Sequence, residues 1–221
     1  MELPMSIDKD LTGRGHGRGR ARGRPVVSDE QRAQMRLRIE QVARALFKEE
    51  GYGQVSIRKI AKGVGCSPMT LYKYYDSKID ILRTLWTDIF NEVFDRMAQV
   101  NRLERSATDV LNETALIYVN YWLENTDHYR LVFMAEGVTQ TDVGLFVDNP
   151  DLSEKYTVFS ELLLLIGKGK LSQQQLKLKS DVLMCGLHGI AHNMITISSY
   201  PWENSHELIS ELLAWLVDDA L

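Results

Sequence analysis

From Ser28 onward, apolar side chains recur at the 3.6-residue spacing of an α-helix, and no stretch keeps the two-residue alternation of a half-buried strand. A chain patterned this way buries its apolar stripes only by packing helix on helix. The expectation is an all-α protein of about nine helices, over residues 28–51, 56–63, 67–75, 77–100, 108–125, 127–134, 151–166, 173–199 and 205–221. Punctuation supports the divisions. Ser28 with Gln31 and Ser172 with Gln175 read as capping boxes, Ser67 precedes Pro68 at a first helical position, and Gly51 closes the first long pattern. Pro150 and Pro201 stand just before further starts, at Asp151/Glu154 and Asn204/Glu207.

Charge is divided unevenly along this pattern. The net charge of -4 conceals +9 over residues 14–75 and -11 over residues 76–221. A polyanion is the natural partner of the first segment and not of the second. Residues 13–25, GRGHGRGRARGRP, combine Gly and Arg with almost no apolar surface, which predicts a disordered basic arm over residues 1–27. Behind it, the pattern divides into a basic helical head over residues 28–76 and an acidic helical body over residues 77–221. The first residues lack a secretory pattern, and the apolar run 162–166 falls far short of the ~20 residues that span a bilayer. A cytoplasmic protein with no membrane partner is expected. Cys66 and Cys185 lie in apolar helical contexts without CxxC spacing, as reduced packing residues do.

The stretch from Val55 to Leu82, VSIRKIAKGVGCSPMTLYKYYDSKIDIL, carries the function. Ile57, Ile60, Ala61, Val64, Leu71 and Tyr75 are spaced to pack two short helices against the preceding long one, with Gly65 in the turn between them. Arg58, Met69, Thr70, Tyr72, Lys73 and Tyr74 remain outside that core, making a basic, hydrogen-bonding face. A helix of that width fits the major groove of B-DNA with its N-terminal residues nearest the base edges. In the order Ile60-Ala61, Gly65, Ser67-Pro68, Thr70-Leu71-Tyr72, Tyr75 and Ser77-Lys78, the segment resembles the helix-turn-helix of the tetracycline-repressor (TetR) family, over roughly residues 32–85.

That resemblance implies a homodimer that binds a palindromic operator in double-stranded DNA. It implies Arg58 as a base reader, Met69 and Thr70 at the tip of the recognition helix with Tyr72 and Lys73 beside them, and Ser56, Tyr74 and Lys78 as phosphate contacts. Met69 departs from the small or polar residues common at its position, and methionine offers apolar contact without bidentate pairing. Arg22-Gly23-Arg24-Pro25 resembles the core of an AT-hook, so Arg22 and Arg24 are expected in a narrow A·T-rich minor groove.

In the C-terminal half, Gly186 and Gly189 allow close helix approach while Val182, Ile190 and Ile197 supply apolar contact, and the following helix offers Leu212 and Leu216. Two such helices per subunit make the four-helix interface by which TetR-like proteins dimerise. The His188-Gly189 pair also resembles a subgroup of TetR C-terminal domains marked by a Trp and His-Gly, although the Trp is absent here. His188 and His192 are one turn apart but have no evident third ligand, so they read as core or interface histidines, with no metal and no cofactor expected. Trp86, Phe90, Phe94, Tyr118, Trp122, Phe133, Tyr156 and Phe159 are the expected lining for an unknown small, largely apolar effector. The sequence contains no phosphate-binding loop, no GxSxG and no metal-ligand cluster, and an enzyme is not expected. An architectural or ligand-independent DNA-binding protein is the alternative to a regulator.

Overall fold

The computed structural model describes residues 28–147 and 150–218. Ten α-helices follow in order: α1 (Asp29–Glu50), α2 (Ile57–Val64), α3 (Pro68–Leu71), α4 (Lys78–Ala98), α5 (Ala107–Glu124), α6 (Thr126–Phe133), α7 (Gln140–Val147), α8 (Pro150–Ile166), α9 (Gln173–Thr196) and α10 (Ser205–Asp218), with a 3-10 turn at Tyr52–Gln54. No strand occurs among the described residues. The all-α expectation holds. The basic arm, with Arg22 and Arg24, lies outside the described residues.

Local chemistry starts most of these helices. The side chains of Ser28, Ser56, Ser67, Ser77, Ser106 and Ser172 each accept a backbone N–H of the first turn, and Ser28/Gln31 and Ser172/Gln175 form reciprocal capping boxes. Between α2 and α3 the chain turns at Gly65, whose φ of 77° and ψ of 34° place it in the left-handed region where a side chain is disfavoured.

Two elements differ from the sequence expectation. The recognition helix is α-helical only from Pro68 to Leu71 and then tightens, the amides of Lys73 and Tyr74 bonding three residues back to Thr70 and Leu71 at 3.1 and 2.9 Å. Docking of Tyr75 accounts for the early end: its ring is buried under the Arg36 guanidinium, 5.0 Å from the centroid, and its hydroxyl donates to Glu40 on α1. The second difference is α7, absent from the nine expected helices. Its cap is reciprocal, Thr139 N–H donating to Asp142 Oδ2 at 3.0 Å and Asp142 N–H to Thr139 Oγ1 at 3.2 Å.

Buried residues of α1 to α3 (Ile39, Ala43, Phe47, Ile60, Ala61, Val64, Leu71) and those of the later helices join through α4. α4 packs on α1 as well as on α5, α6 and α8, burying Ile81, Leu82, Leu85 and Trp86 near its start and Ile89, Phe90, Val93, Phe94 and Met97 beyond. α5 is the central rod of the C-terminal bundle, touching α4, α6, α8, α9 and α10. Trp122 on α5 is fully buried, and cutting such a residue to alanine costs about 3–5 kcal/mol.

Candidate nucleic-acid interface

The N-cap geometry of α2 leaves the Ser56 side chain on the surface, its Oγ accepting the Lys59 amide at 3.3 Å. Arg58 and Lys62 follow on the exposed side, one turn apart, and neither forms an ion pair among the described residues. Lys59 is different, for it pairs with Glu50 at the end of α1. Lys62 belongs to the same exposed basic side as Arg58, and the four-residue spacing was the signal for it.

On α3, Ser67 Oγ accepts the Thr70 amide at 3.1 Å and lies 2.9 Å from Thr70 Oγ1. Met69 projects, 73% exposed, and Tyr72 is 48% exposed. Lys73 is exposed, whereas Tyr74 is half-buried against the core. Lys78 is engaged elsewhere. Its Nζ donates to the Tyr52 carbonyl at 2.7 Å and lies 3.9 Å from the centroid of the Tyr52 ring, and burial lowers its pKa. It ties the first turn of α4 to the 3-10 turn, and reaching a phosphate would break that tether.

The seam between the first helices and the bundle is polar and directional. Lys48 on α1 pairs with Asp127 on α6 at 2.5 Å, and Arg44 Nη1 lies 3.3 Å from His128 Nε2. Arginine only donates, so Nε2 accepts and the His128 proton sits on Nδ1, which faces Tyr121 Oη at 2.8 Å. Tyr121 then donates to Glu92 on α4 at 3.1 Å. The chain of bonds thus runs from α1 through α6 and α5 to α4.

Deeper in the bundle the expected aromatic residues meet. The Phe90 ring contacts Phe94, Trp122, Phe133 and Tyr156 at centroid separations of 5.8–6.2 Å, and Tyr118 contacts Trp122 and Phe159 at 6.0 and 5.9 Å. Trp86 is buried, its indole N–H donating to the Leu131 carbonyl at 2.9 Å. Tyr129 and the two histidines of α9, absent from the expected lining, join this cluster. His188 Nε2 lies 2.7 Å from Tyr118 Oη, and His192 Nδ1 lies 3.2 Å from Tyr129 Oη. Burial, then neighbouring His192, pushes the His188 pKa down to about 4. Burial also raises the Tyr156 hydroxyl to about 12 and holds Tyr118 well above its ordinary value. The cluster is therefore aromatic and polar at a few points. Trp122 Nε1 is buried without a hydrogen-bond partner of ordinary geometry among the described residues.

The residues expected at a dimer interface divide in two. A Cβ on Gly186 would lie 2.5 Å from Leu212 Cδ2, and Leu216 is buried within the chain, so these three pack α9 on α10. Val182, Gly189 and Ile190 are partly exposed and Ile197 is exposed. No group of three or more metal-ligating side chains occurs among the described residues, and none of their helices is long and apolar enough to cross a membrane.

Comparison with known proteins gives this geometry its context. Residues 39–85 match the family model for bacterial regulatory proteins of the tetR family. An HTH-type transcriptional regulator of Staphylococcus aureus (strain USA300) is 44% identical over 46 residues, which span 21% of this chain and 25% of that relative. Among solved structures, a putative TetR-family transcriptional regulator from Syntrophomonas wolfei aligns with a TM-score of 0.66 at 18% identity, covering 86% of this chain and 96% of that one. The fatty acid degradation regulator FadR from Bacillus halodurans aligns with a TM-score of 0.65 at 19% identity, covering 83% and 94%. At these identities the likeness to solved structures is one of fold. Residues 39–85 thus carry the helix-turn-helix of the tetR family of bacterial regulatory proteins, in a chain that spans a quarter of the length of the curated relative it matches.

Proposed function

We propose that this chain is a sequence-specific DNA-binding transcriptional regulator, a homodimer on a palindromic operator, acting as a repressor whose operator binding is modulated by a small, largely apolar effector. The observation that carries the reading is the outward face of the family-matched motif. Arg58, Lys62 and Lys73 stand exposed on that motif without an ion pair among the described residues, with Met69 and Thr70 on α3 and Tyr72 just after its last residue. Unneutralised cations over a short helix suit a phosphate-lined groove. Residues 28–76 then serve as the head and residues 77–221 as the effector-binding and dimerisation body, with α4 as the rigid link.

Dimerisation through α9 and α10 is supported by the apolar surface those helices leave to solvent, with Leu178, Ile197 and Trp215 exposed and Val182, Gly189 and Ile190 partly so. The effector reading is supported by the aromatic cluster, where a bound acceptor would satisfy Trp122 Nε1, and by the fact that α4 carries Phe90 and Phe94 into that cluster while its start packs on α1. A ligand shifts operator binding only by its differential affinity for the two head spacings, and a tenfold change needs ~1.4 kcal/mol.

The test begins with selection of a binding site from random DNA and sedimentation of the complex. Binding at least ~10³ tighter than to random DNA, by two copies, is the expected outcome. Equal affinity for all sequences would favour an architectural role, and a monomer in both free and bound states would remove the palindrome. Compounds that raise the thermal midpoint are then added to the operator complex. A hit that stabilises the protein and leaves operator affinity unaltered defeats the effector mechanism.

A further inference from the structure

The leading end of α3 is short of outward-facing polar groups. Pro68 has no N–H, and the Thr70 amide and hydroxyl both lie within hydrogen-bond reach of Ser67 Oγ, at 3.1 and 2.9 Å. Between them Met69 is 73% exposed, and Tyr72, three residues on and so on the same side, is 48% exposed. Single exposed apolar residues are ordinary on a protein surface. A methionine and a tyrosine side by side, at the end of the helix that carries the recognition face, are not accounted for by packing within the chain. Lys73, next to Tyr72 in the chain, and Arg58, on the α2 helix that packs on α3, are exposed cations, which draw this motif toward phosphates.

The major-groove edges of the four bases carry hydrogen-bonding atoms on all and an apolar group on one, the C5-methyl of thymine. Methionine is unbranched, flexible and polarisable, so its thioether end fits an apolar bump and has little to offer the N7 and O6 acceptors of guanine. We infer that Met69, backed by Tyr72, is a specificity-determining residue that reads a thymine methyl group in each half-site of the operator. The inference rests on the reading of α3 as the base-facing helix. It goes further by assigning the apolar tip a base, leaving the hydrogen-bonded reading to Arg58.

The experiment replaces each thymine of a selected operator in turn by uracil, which keeps every hydrogen-bonding group and loses only the methyl. Binding is measured with the full chain and with Met69→Ala, whose folding is checked by circular dichroism. In the wild type, one or two thymines per half-site should show a loss of about fourfold on uracil substitution, the equivalent of ~0.8 kcal/mol for one methyl-sized contact. Placing 5-methylcytosine in place of cytosine at the same position should recover affinity by a similar factor. Met69→Ala should bind thymine and uracil operators equally there while still discriminating at the Arg58 position. Uracil that is neutral at every thymine, or a Met69→Ala chain that keeps the full thymine-to-uracil ratio, overturns the inference while sequence-specific binding stands. If selection yields no preferred sequence at all, the base-facing role of α3 fails, and the methyl reading falls with it.

Discussion

His188 makes the fold acid-sensitive in a way that can be measured. Its ring lies on α9 against Tyr118 and Phe133, with centroid separations of 5.6 and 4.7 Å, and its Nε2 faces the Tyr118 hydroxyl at 2.7 Å. Burial is the main cause that takes its pKa from 6.5 to about 4, and His192, one turn away, adds to it. The fold therefore favours the neutral ring. Above pH 6.5 both folded and unfolded chains hold it neutral and the contribution is complete; between 6.5 and about 4 the unfolded chain takes up a proton that the folded one refuses, so stability falls as pH falls. The whole change is worth ~3 kcal/mol, with ~2 kcal/mol of it already lost at pH 5. At roughly 2–4 °C per kcal/mol for a chain of this size, His188 alone should lower the thermal midpoint by about 4–8 °C between pH 7.5 and 5.

The assay is thermal unfolding by circular dichroism at both pH values for the wild type, His188→Phe, and His188→Phe with Tyr118→Phe. The single variant leaves the buried Tyr118 hydroxyl without its His188 partner, a loss of about 1–3 kcal/mol that does not depend on pH over this range. The double variant removes that complication, so the decisive quantity is the difference between midpoints at the two pH values. Both variants should lose the 4–8 °C acid increment. A His188→Phe chain whose midpoint falls as steeply as the wild type's would refute the argument, as would an NMR titration placing the folded His188 near 6.5.

Other outcomes follow from individual contacts. Arg58→Ala should cost ~1–3 kcal/mol on the selected operator and relax discrimination at one base pair, read by binding to operators varied position by position. Lys78→Met should lower the thermal midpoint, because the tether to the Tyr52 carbonyl is lost, and leave the slope of log K against log salt unchanged; a slope reduced by about one unit would return Lys78 to the phosphates. Gly186→Val should destabilise by about 1–3 kcal/mol in denaturant titration, since its side chain enters the space held by Leu212, and an unaltered midpoint would contradict the packing of α9 on α10. Burial and then Arg44 hold the His128 pKa down, so below 6.5 a ring released by opening of this seam takes up a proton that the closed seam resists, and opening is favoured. Protection of α1 amides against hydrogen exchange should fall from pH 7.5 to 5.5 in the wild type and hold in His128→Gln, whose amide oxygen accepts from Arg44 without titrating.

What the sequence determined by itself is what acts within about four residues along the chain. Serine caps, the glycine turn between α2 and α3, and the helical spacing of Ile39, Ala43 and Phe47 are local, and each of them stands in the structure where the pattern placed it. The ordered motif from Val55 to Leu82 is local in the same sense, which is why the family was legible there. α7 had a local signal as well, the Thr139/Asp142 cap, but eight residues interrupted by Gly144 hold too little periodicity to announce a helix. The remaining differences needed contacts across the fold. α3 tightens after Leu71 because Tyr75 docks on α1, and Lys78 turns inward because Tyr52 supplies a carbonyl and a ring from 26 residues away. Gly186 and Leu216 pack α9 on α10 inside the chain, although their spacing alone suited an interface with a second copy equally well. The aromatic types on α4, α5 and α8 were visible in the sequence, yet their meeting with His188, and the depressed pKa that burial gives it, exist only once five helices close around one volume. Residue type and spacing encode which face of a helix is apolar; which neighbour covers that face depends on the packing of all the helices at once, and only the tertiary structure decided it.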